Sequence, residues 1–379
     1  MSVQKNKDKV QREALNAWVL AGCEGTIEAA TAFGKTRVGV IAIAYYAKKV
    51  NYKFKALIVT PTTAIQEEWR KEFKKWGESK VLQECVEIYC INTAREFVGC
   101  CYNIAVFDEI HNYINGEVNY KVFKNNVFDK ILGLSASIDN SIVPSLNEIA
   151  PICYALTVYD ALELELISEF TVYNLPIALT EEESMHYKSL SNAITYTWER
   201  FGRQAWKKIG ERKDILYKAA NKLGVVQEIS KHFNGNYGIV FSQTKNYADI
   251  VQDTIGETCV SHHSGITAKN RLLNLKRFAD GRTKVKRISS AKTLDEGVTL
   301  PRLEFAVIAS GSSKPKQMIQ RVGRCLRLDV EGKHAIIIRL YVKDTVEENW
   351  VSNAQQGFKI VNINSINQIN GSKKISQIS

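Results

Sequence analysis

The chain has 379 residues, 45% hydrophobic and 24% charged, which suits two or three packed domains and excludes disordered and fibrous classes. No apolar run approaches the roughly 20 residues of a membrane span, and the polar start Met1-Ser2-Val3-Gln4-Lys5 lacks the apolar segment of a secretory leader, so a cytoplasmic protein without a membrane partner is expected. A net charge of +11 favours a polyanionic partner without choosing among nucleic acid, anionic lipid and acidic protein. The eight cysteines are scattered and match no C-x-x-C metal framework, which reads as reduced, packed thiols.

In chain order, residues 8–20 place Val10, Ala14, Ala17 and Trp18 at helical spacing. Gln11 on that helix is either a solvated residue or one facing a nucleotide base. The stretch Ala29-Ala30-Thr31-Ala32-Phe33-Gly34-Lys35-Thr36 then opens an apolar helical run from Val38. Backbone N–H groups converging before a helix N-terminus form a phosphate cradle, with Lys35 reaching the terminal phosphates and Thr36 placing its hydroxyl on Mg²⁺. Ala29 and Ala32 stand where such loops often carry Gly, and a positive φ at either would cost about 1–2 kcal/mol. Taken alone, the stretch also fits an ordinary small-residue turn.

Lys55 to Thr60 reads as a buried strand closed by Pro61, and Ala64 to Trp76 as a helix. Strands follow over 86–91, ending at Asn92-Thr93, over 104–107, running into Asp108-Glu109-Ile110-His111, and over 131–134, running into Ser135-Ala136-Ser137. This alternation is that of a parallel sheet covered by helices, whose ligands sit at the carboxyl edge of the strands. An acidic pair delivered there suits Mg²⁺-nucleotide chemistry, Asp108 holding the metal shell and Glu109 orienting the attacking water.

The alternation breaks between about 156 and 225: a helix over 159–168, a strand over 170–175, then a long helical stretch over 180–222. That stretch mixes Trp198, Phe201, Trp206 and Tyr217 with Arg203, Lys207, Lys208, Arg212 and Lys213. It reads either as a nucleic-acid contact or as a helix with core aromatics and solvated charges. Strand–helix alternation resumes with strands over 238–241, before His263, over 285–290, 305–309 and 335–338. Helices fall over 269–279, 317–327 and 344–353, and a polar tail follows Gly357, loosely held or docked. His262 and His263 read as structural.

These residues form an ordered set that resembles a superfamily 2 helicase core from about residue 8 to 345. Gln11 is similar to the adenine-reading Gln, Thr31-Ala32-Phe33-Gly34-Lys35-Thr36 to motif I, and Pro61 to Trp69 to motif Ia. Asp108-Glu109-Ile110-His111 resembles the DEAH-type motif II, Ser135-Ala136-Ser137 motif III, and Val240-Phe241-Ser242-Gln243 motif IV. Glu296 to Pro301 resembles motif V, and Gln320-Arg321-Val322-Gly323-Arg324-Cys325-Leu326-Arg327 motif VI. The wording of motifs Ia and VI is most similar to the XPB and UvsW type, repair and recombination motors often found in phages. Departures are Ala32 in motif I, Ser137 for the usual Thr in motif III, and Thr299 where many relatives carry Asp.

The resemblance implies an α/β fold of two tandem RecA-like parallel-sheet domains with helices on both faces and a helical segment between them. Its expected boundaries are 1–155 for the first domain, 156–225 for a connecting strand and helical segment packed on the second, 226–350 for the second, and 351–379 for the tail; no accessory domain is expected. It implies ATP and Mg²⁺ as cofactors, bound between the two domains by Gln11, Ala32, Phe33, Gly34, Lys35, Thr36, Asp108 and Gly297. Catalysis would rest on Lys35, Asp108, Glu109, Gln320, Arg324 and Arg327, the last two as arginine fingers, with His111 coupling the site to motif VI. Nucleic acid would meet Thr62, Asn92, Thr93, Thr244, Ser289 and Ser290, with Arg95 and Lys292 nearby. The expected activity is an ATP-driven DNA helicase or branch-migrating translocase in a bacterial or phage-infected cytoplasm, alongside other replication or recombination proteins. An RNA helicase and an ATP-gated nucleic-acid clamp with weak turnover are the alternatives.

Overall fold

The computed structural model describes residues 2–30, 33–202, 205–291, 300, 302–310, 334–353 and 359–369. The chain divides into two compact units, Met1–Ile167 and Ser168–Ser379.

The first unit is built on a six-stranded parallel sheet. Its strands are β1 (Glu24–Ala29), β2 (Ala56–Thr60), β3 (Val86–Cys90), β5 (Ile104–Asp108), β7 (Ile131–Ser135) and β8 (Ile152–Leu156), in the order β3-β2-β5-β7-β1-β8. A two-stranded ribbon, β4 (Cys101–Tyr102) with β6 (Val127–Phe128), lies beside it. β2 and β5 are buried at every position, as strands covered on both faces must be, and their sequences are accordingly continuous apolar runs. The first helix, α1 (Ser2–Leu20), starts six residues earlier than its apolar spacing predicts. It buries Val10, Ala14 and Trp18, and the Trp18 indole donates to the Ile131 carbonyl at 2.8 Å. β1 and β8 were not legible as strands: β1 carries Glu24 and Glu28 in six residues, and β8 is a half-exposed edge.

The second unit holds a seven-stranded, all-parallel sheet. It comprises β9 (Glu169–Ile177), β10 (Gly238–Ser242), β11 (Cys259–His263), β12 (Arg287–Ala291), β13 (Phe305–Ile308), β14 (His334–Val342) and β15 (Ile360–Asn362), ordered β11-β12-β10-β13-β14-β9-β15. The expected connecting strand belongs to this unit as a member of its sheet: β9 pairs with β14 over nine residues. The helix expected over 159–168 is shorter, Val158–Glu163, and lies in the first unit. Of the two expectations for the tail, docking holds for residues 360–369. β15 pairs with β9, and Ile363, Ile366 and Ile369 are buried in the same core as Val226, Phe233 and Phe305.

The helical stretch expected over 180–222 is three helices, α4 (Glu181–Phe201), α5 (Ala205–Lys218) and α6 (Ala220–His232). α4 begins at a reciprocal cap in which Thr180 Oγ1 accepts from the Glu183 N–H and Glu183 returns a bond to the Thr180 N–H. Burial holds the His262 imidazole neutral, its pKa pushed down to about 4. His263 bonds Asp249 and the Gly265 N–H, and among the described residues no His/Cys/Asp/Glu cluster could hold a metal.

Candidate active site

β1, β7 and β5 are neighbours in the first sheet, so the segments leaving their carboxyl ends converge. These are the phosphate-loop stretch, Ser135-Ala136-Ser137 and Asp108-Glu109. Ala29 closes β1 in extended conformation, so it meets none of the positive-φ cost. Among the described residues of the loop the left-handed position is Gly34, with φ 87° at the cap of α2 (Lys35–Lys49). A Cβ there would also fall on the Gln11 side chain and 3.2 Å from Lys7 Cε. Thr31 and Ala32 lie outside the described residues.

Gln11 is buried and tied to the loop rather than solvated. Its Nε2 donates to the Phe33 carbonyl at 2.6 Å, and its Oε1 accepts from Arg37 at 2.8 Å. Arg37 also pairs with Asp8, whose carboxyl it holds below the usual range, and stacks over Trp76. Phe33 is buried, 6.2 Å from the Tyr154 ring. The Lys35 ammonium donates to the Ala29 carbonyl at 3.1 Å, across the mouth of the loop. α1 thus braces the phosphate loop, a role the periodicity of residues 8–20 did not reveal.

Asp108 is buried at the end of β5, where its carboxyl is pushed up to about 7. Burial is the largest cause and the Glu109 charge the next; the Trp69 indole, which donates to Oδ2 at 2.8 Å, and the Lys35 ammonium act the other way. The Tyr113 hydroxyl donates to the Asp108 carbonyl at 2.7 Å. Glu109 adopts φ 55°, a left-handed conformation that costs a non-glycine residue energy. Its Oε2 accepts from the Ala136 N–H at 3.2 Å and lies 3.4 Å from His111 Nδ1. His111 Nδ1 in turn sits 2.8 Å from Ser135 Oγ, which donates to the Ser137 carbonyl. Motifs II and III are therefore one hydrogen-bonded cluster. Sequence reasoning missed Glu28, whose Oε1 takes the Ile138 N–H at 2.6 Å; an acidic residue late in an unrecognised strand was the only signal.

A divalent hard cation takes oxygen ligands. The Thr36 hydroxyl on the first turn of α2 and the Asp108 carboxylate, buried at the end of β5 with the Trp69 N–H on its Oδ2, are such donors.

Of the residues expected at nucleic acid, Thr62 precedes α3 (Thr63–Lys75) without using its side chain as a cap. Asn92 and Thr93 are exposed on the short helix Ile91–Ala94 that follows β3. Thr244 caps the helix Lys245–Ile255 by accepting from the Tyr247 N–H. Ser289 and Ser290 are corrected: both are 0% exposed within β12, covered on both sides, and offer no hydroxyl at the surface. Arg95 bonds Glu96 and Asn119. Lys292, Gly297 and the motif VI residues Gln320, Arg324 and Arg327 lie outside the described residues.

Two family models match the chain: "Type III restriction enzyme, res subunit" over residues 4–95 and "Helicase conserved C-terminal domain" over residues 221–329. Together with the site above they define a superfamily 2 helicase core, and the protein is a nucleic-acid-dependent ATPase of the helicase class. The chain is similar to the DNA 3'-5' translocase XPB2 of Sulfurisphaera tokodaii, with 24% identity over 90% of this chain and 84% of that protein. Among solved structures it is similar to S. cerevisiae Dbp5 bound to RNA and ADP BeF3, with TM-score 0.65, 15% identity, and coverage of 94% and 89% of the two chains. It is also similar to the ATP-dependent Type ISP restriction-modification enzyme LlaBIII bound to DNA, with TM-score 0.61, 13% identity, and coverage of 94% of this chain and 31% of that one.

Proposed function

We propose that the chain is an ATP-driven DNA translocase or helicase of the XPB and UvsW type, acting in DNA repair, recombination or replication. The observation that carries the ATPase half is the convergence of Lys35, Asp108 and the Glu109–Ala136–His111 cluster at one sheet edge. The DNA half is supported by the XPB2 relative, matched along most of both chains, and by the basic charge of the chain.

In this reading Lys35 and the loop N–H groups would bind the triphosphate, and Thr36 and Asp108 would hold Mg²⁺, which would supply charge neutralisation. Glu109 orients the attacking water, fixed by the Ala136 N–H. Gln320, Arg324 and Arg327 are assigned to the developing charge on the γ-phosphate from their motif, with Gly297 beside the nucleotide. Thr62, Asn92, Thr93 and Thr244 are assigned to the nucleic-acid backbone, which holds such motors mainly through phosphate contacts.

The test is an ATPase assay without nucleic acid and with single-stranded DNA, duplex DNA and RNA. Turnover is expected to rise on DNA; equal stimulation by RNA favours the RNA-helicase reading, and strong turnover without any nucleic acid overturns the motor.

A second contact with DNA is proposed at the tip of the α4–α5 hairpin. Trp198 and Trp206 face each other across it, ring centroids 5.9 Å apart, yet are 51% and 59% exposed. Lys207 beside them is exposed as well. Large aromatics left in water next to lysine suit base stacking, worth about 1–3 kcal/mol per base. Trp198→Ala and Trp206→Ala are each expected to weaken single-stranded DNA binding about tenfold in a fluorescence anisotropy titration. Unchanged affinity in both removes the hairpin from the interface.

A further inference from the structure

Trp69 is the largest of the fully buried side chains, at 0% exposure on α3. A buried indole N–H needs an acceptor, and a backbone carbonyl would serve. Here it goes to a carboxylate oxygen instead, Asp108 Oδ2 at 2.8 Å. Among the described residues no other side chain or backbone N–H donates to that carboxylate. The neighbouring helix makes room for the arrangement: a Cβ on Gly39 of α2 would overlap the indole, with Cζ3 only 2.9 Å away and Val106 behind it at 3.5 Å. Phe73, four residues further along α3, has its ring 6.5 Å from that of Trp69. The indole is thus wedged between α2 and α3 with its N–H aimed at β5.

We propose that Trp69 is a positioning residue that fixes the rotamer of Asp108, leaving Oδ1 directed at the divalent cation of the nucleotide, and that Gly39 is small so that the indole can reach. The inference rests on the ATPase reading above. Groups that orient a metal-ligating side chain in this way change metal affinity about 10–100-fold when removed. Trp69→Phe keeps an aromatic ring but loses the donor. It also opens space beside Gly39, so Trp69→Phe combined with Gly39→Ala refills that volume while the N–H stays absent.

The measurement is isothermal titration of Mg²⁺ into the full chain with ADP, alongside ADP binding in EDTA and thermal unfolding of each variant. Trp69→Phe is expected to raise the Mg²⁺ dissociation constant about tenfold or more, with ADP binding in EDTA unchanged. The double variant is expected to unfold nearer the unaltered protein than Trp69→Phe does, yet keep the weakened Mg²⁺ affinity. Mg²⁺ affinity unchanged in Trp69→Phe, or restored in the double variant, overturns the inference while leaving the ATPase reading intact. Absence of ADP binding by the unaltered protein removes both.

Discussion

Glu109→Gln is expected to lower kcat for ATP about 10²–10⁴-fold, the usual contribution of a group that manages the proton of an attacking water, while ATP still binds. The substitution is close to isosteric, and the new amide oxygen can keep accepting from the Ala136 N–H that Glu109 Oε2 holds at 3.2 Å. What it removes is the negative charge and the proton-accepting capacity beside His111. Because the loop around Lys35 is untouched, nucleotide affinity should stay within a few-fold of the unaltered protein. Steady-state ATPase with saturating DNA, paired with a binding titration of a fluorescent ATP analogue, reads both quantities. A kcat near normal would show that Glu109 serves only to tie motif II to motif III. Loss of binding together with turnover would show that it holds the loop.

The second large effect lies far from this chemistry. Lys222→Met is expected to destabilise the second unit by about 3–5 kcal/mol, because it strands a buried carboxylate. Lys222 and Glu347 are 0% and 1% exposed in their side chains. The ammonium donates to both Glu347 oxygens, at 3.0 and 2.8 Å, and to the Leu216 carbonyl at 2.8 Å. Glu347 Oε2 also accepts from the Val342 N–H. One pair thus ties α5, α6 and the helix Val346–Asn353 to the end of β14. Burial pulls the Lys222 pKa down against the opposing pull of Glu347, so the pair holds geometry more than it supplies net stability. Lys222→Met combined with Glu347→Leu should therefore recover most of the loss. Urea unfolding followed by circular dichroism tests this, and a double variant no better than the single one would contradict it.

What could be read from the chain alone was whatever is contiguous. The phosphate-loop stretch, Asp108-Glu109 at the end of an apolar strand, and the strand–helix alternation each announce themselves within a few residues, and both parallel sheets follow from them. What could not be read depends on partners brought together by folding. Trp69 and Asp108 are 39 positions apart, Lys222 and Glu347 125. Ser289 and Ser290 looked like a polar strand end, but neighbours on both faces put them inside the sheet. The helix over 8–20 was legible as amphipathic, whereas Gln11 bracing the loop required knowing that α1 and α2 lie side by side.

The placement of β9 has a bearing on biosynthesis. It is the first strand of the second unit to be made, yet both its neighbours, β14 and β15, come last; Asn174 and its partner Arg339 are 165 positions apart. At ribosomal speeds of roughly 5–20 residues per second, that strand waits on the order of 10–30 s with both flanks unoccupied. The first unit repeats the pattern over a shorter stretch: the neighbours of β1, β7 and β8, are the last strands of its sheet, and that sheet is complete once Leu156 has emerged. For the growing polypeptide, the interval between those two moments is when a sticky, extended β9 most needs a chaperone.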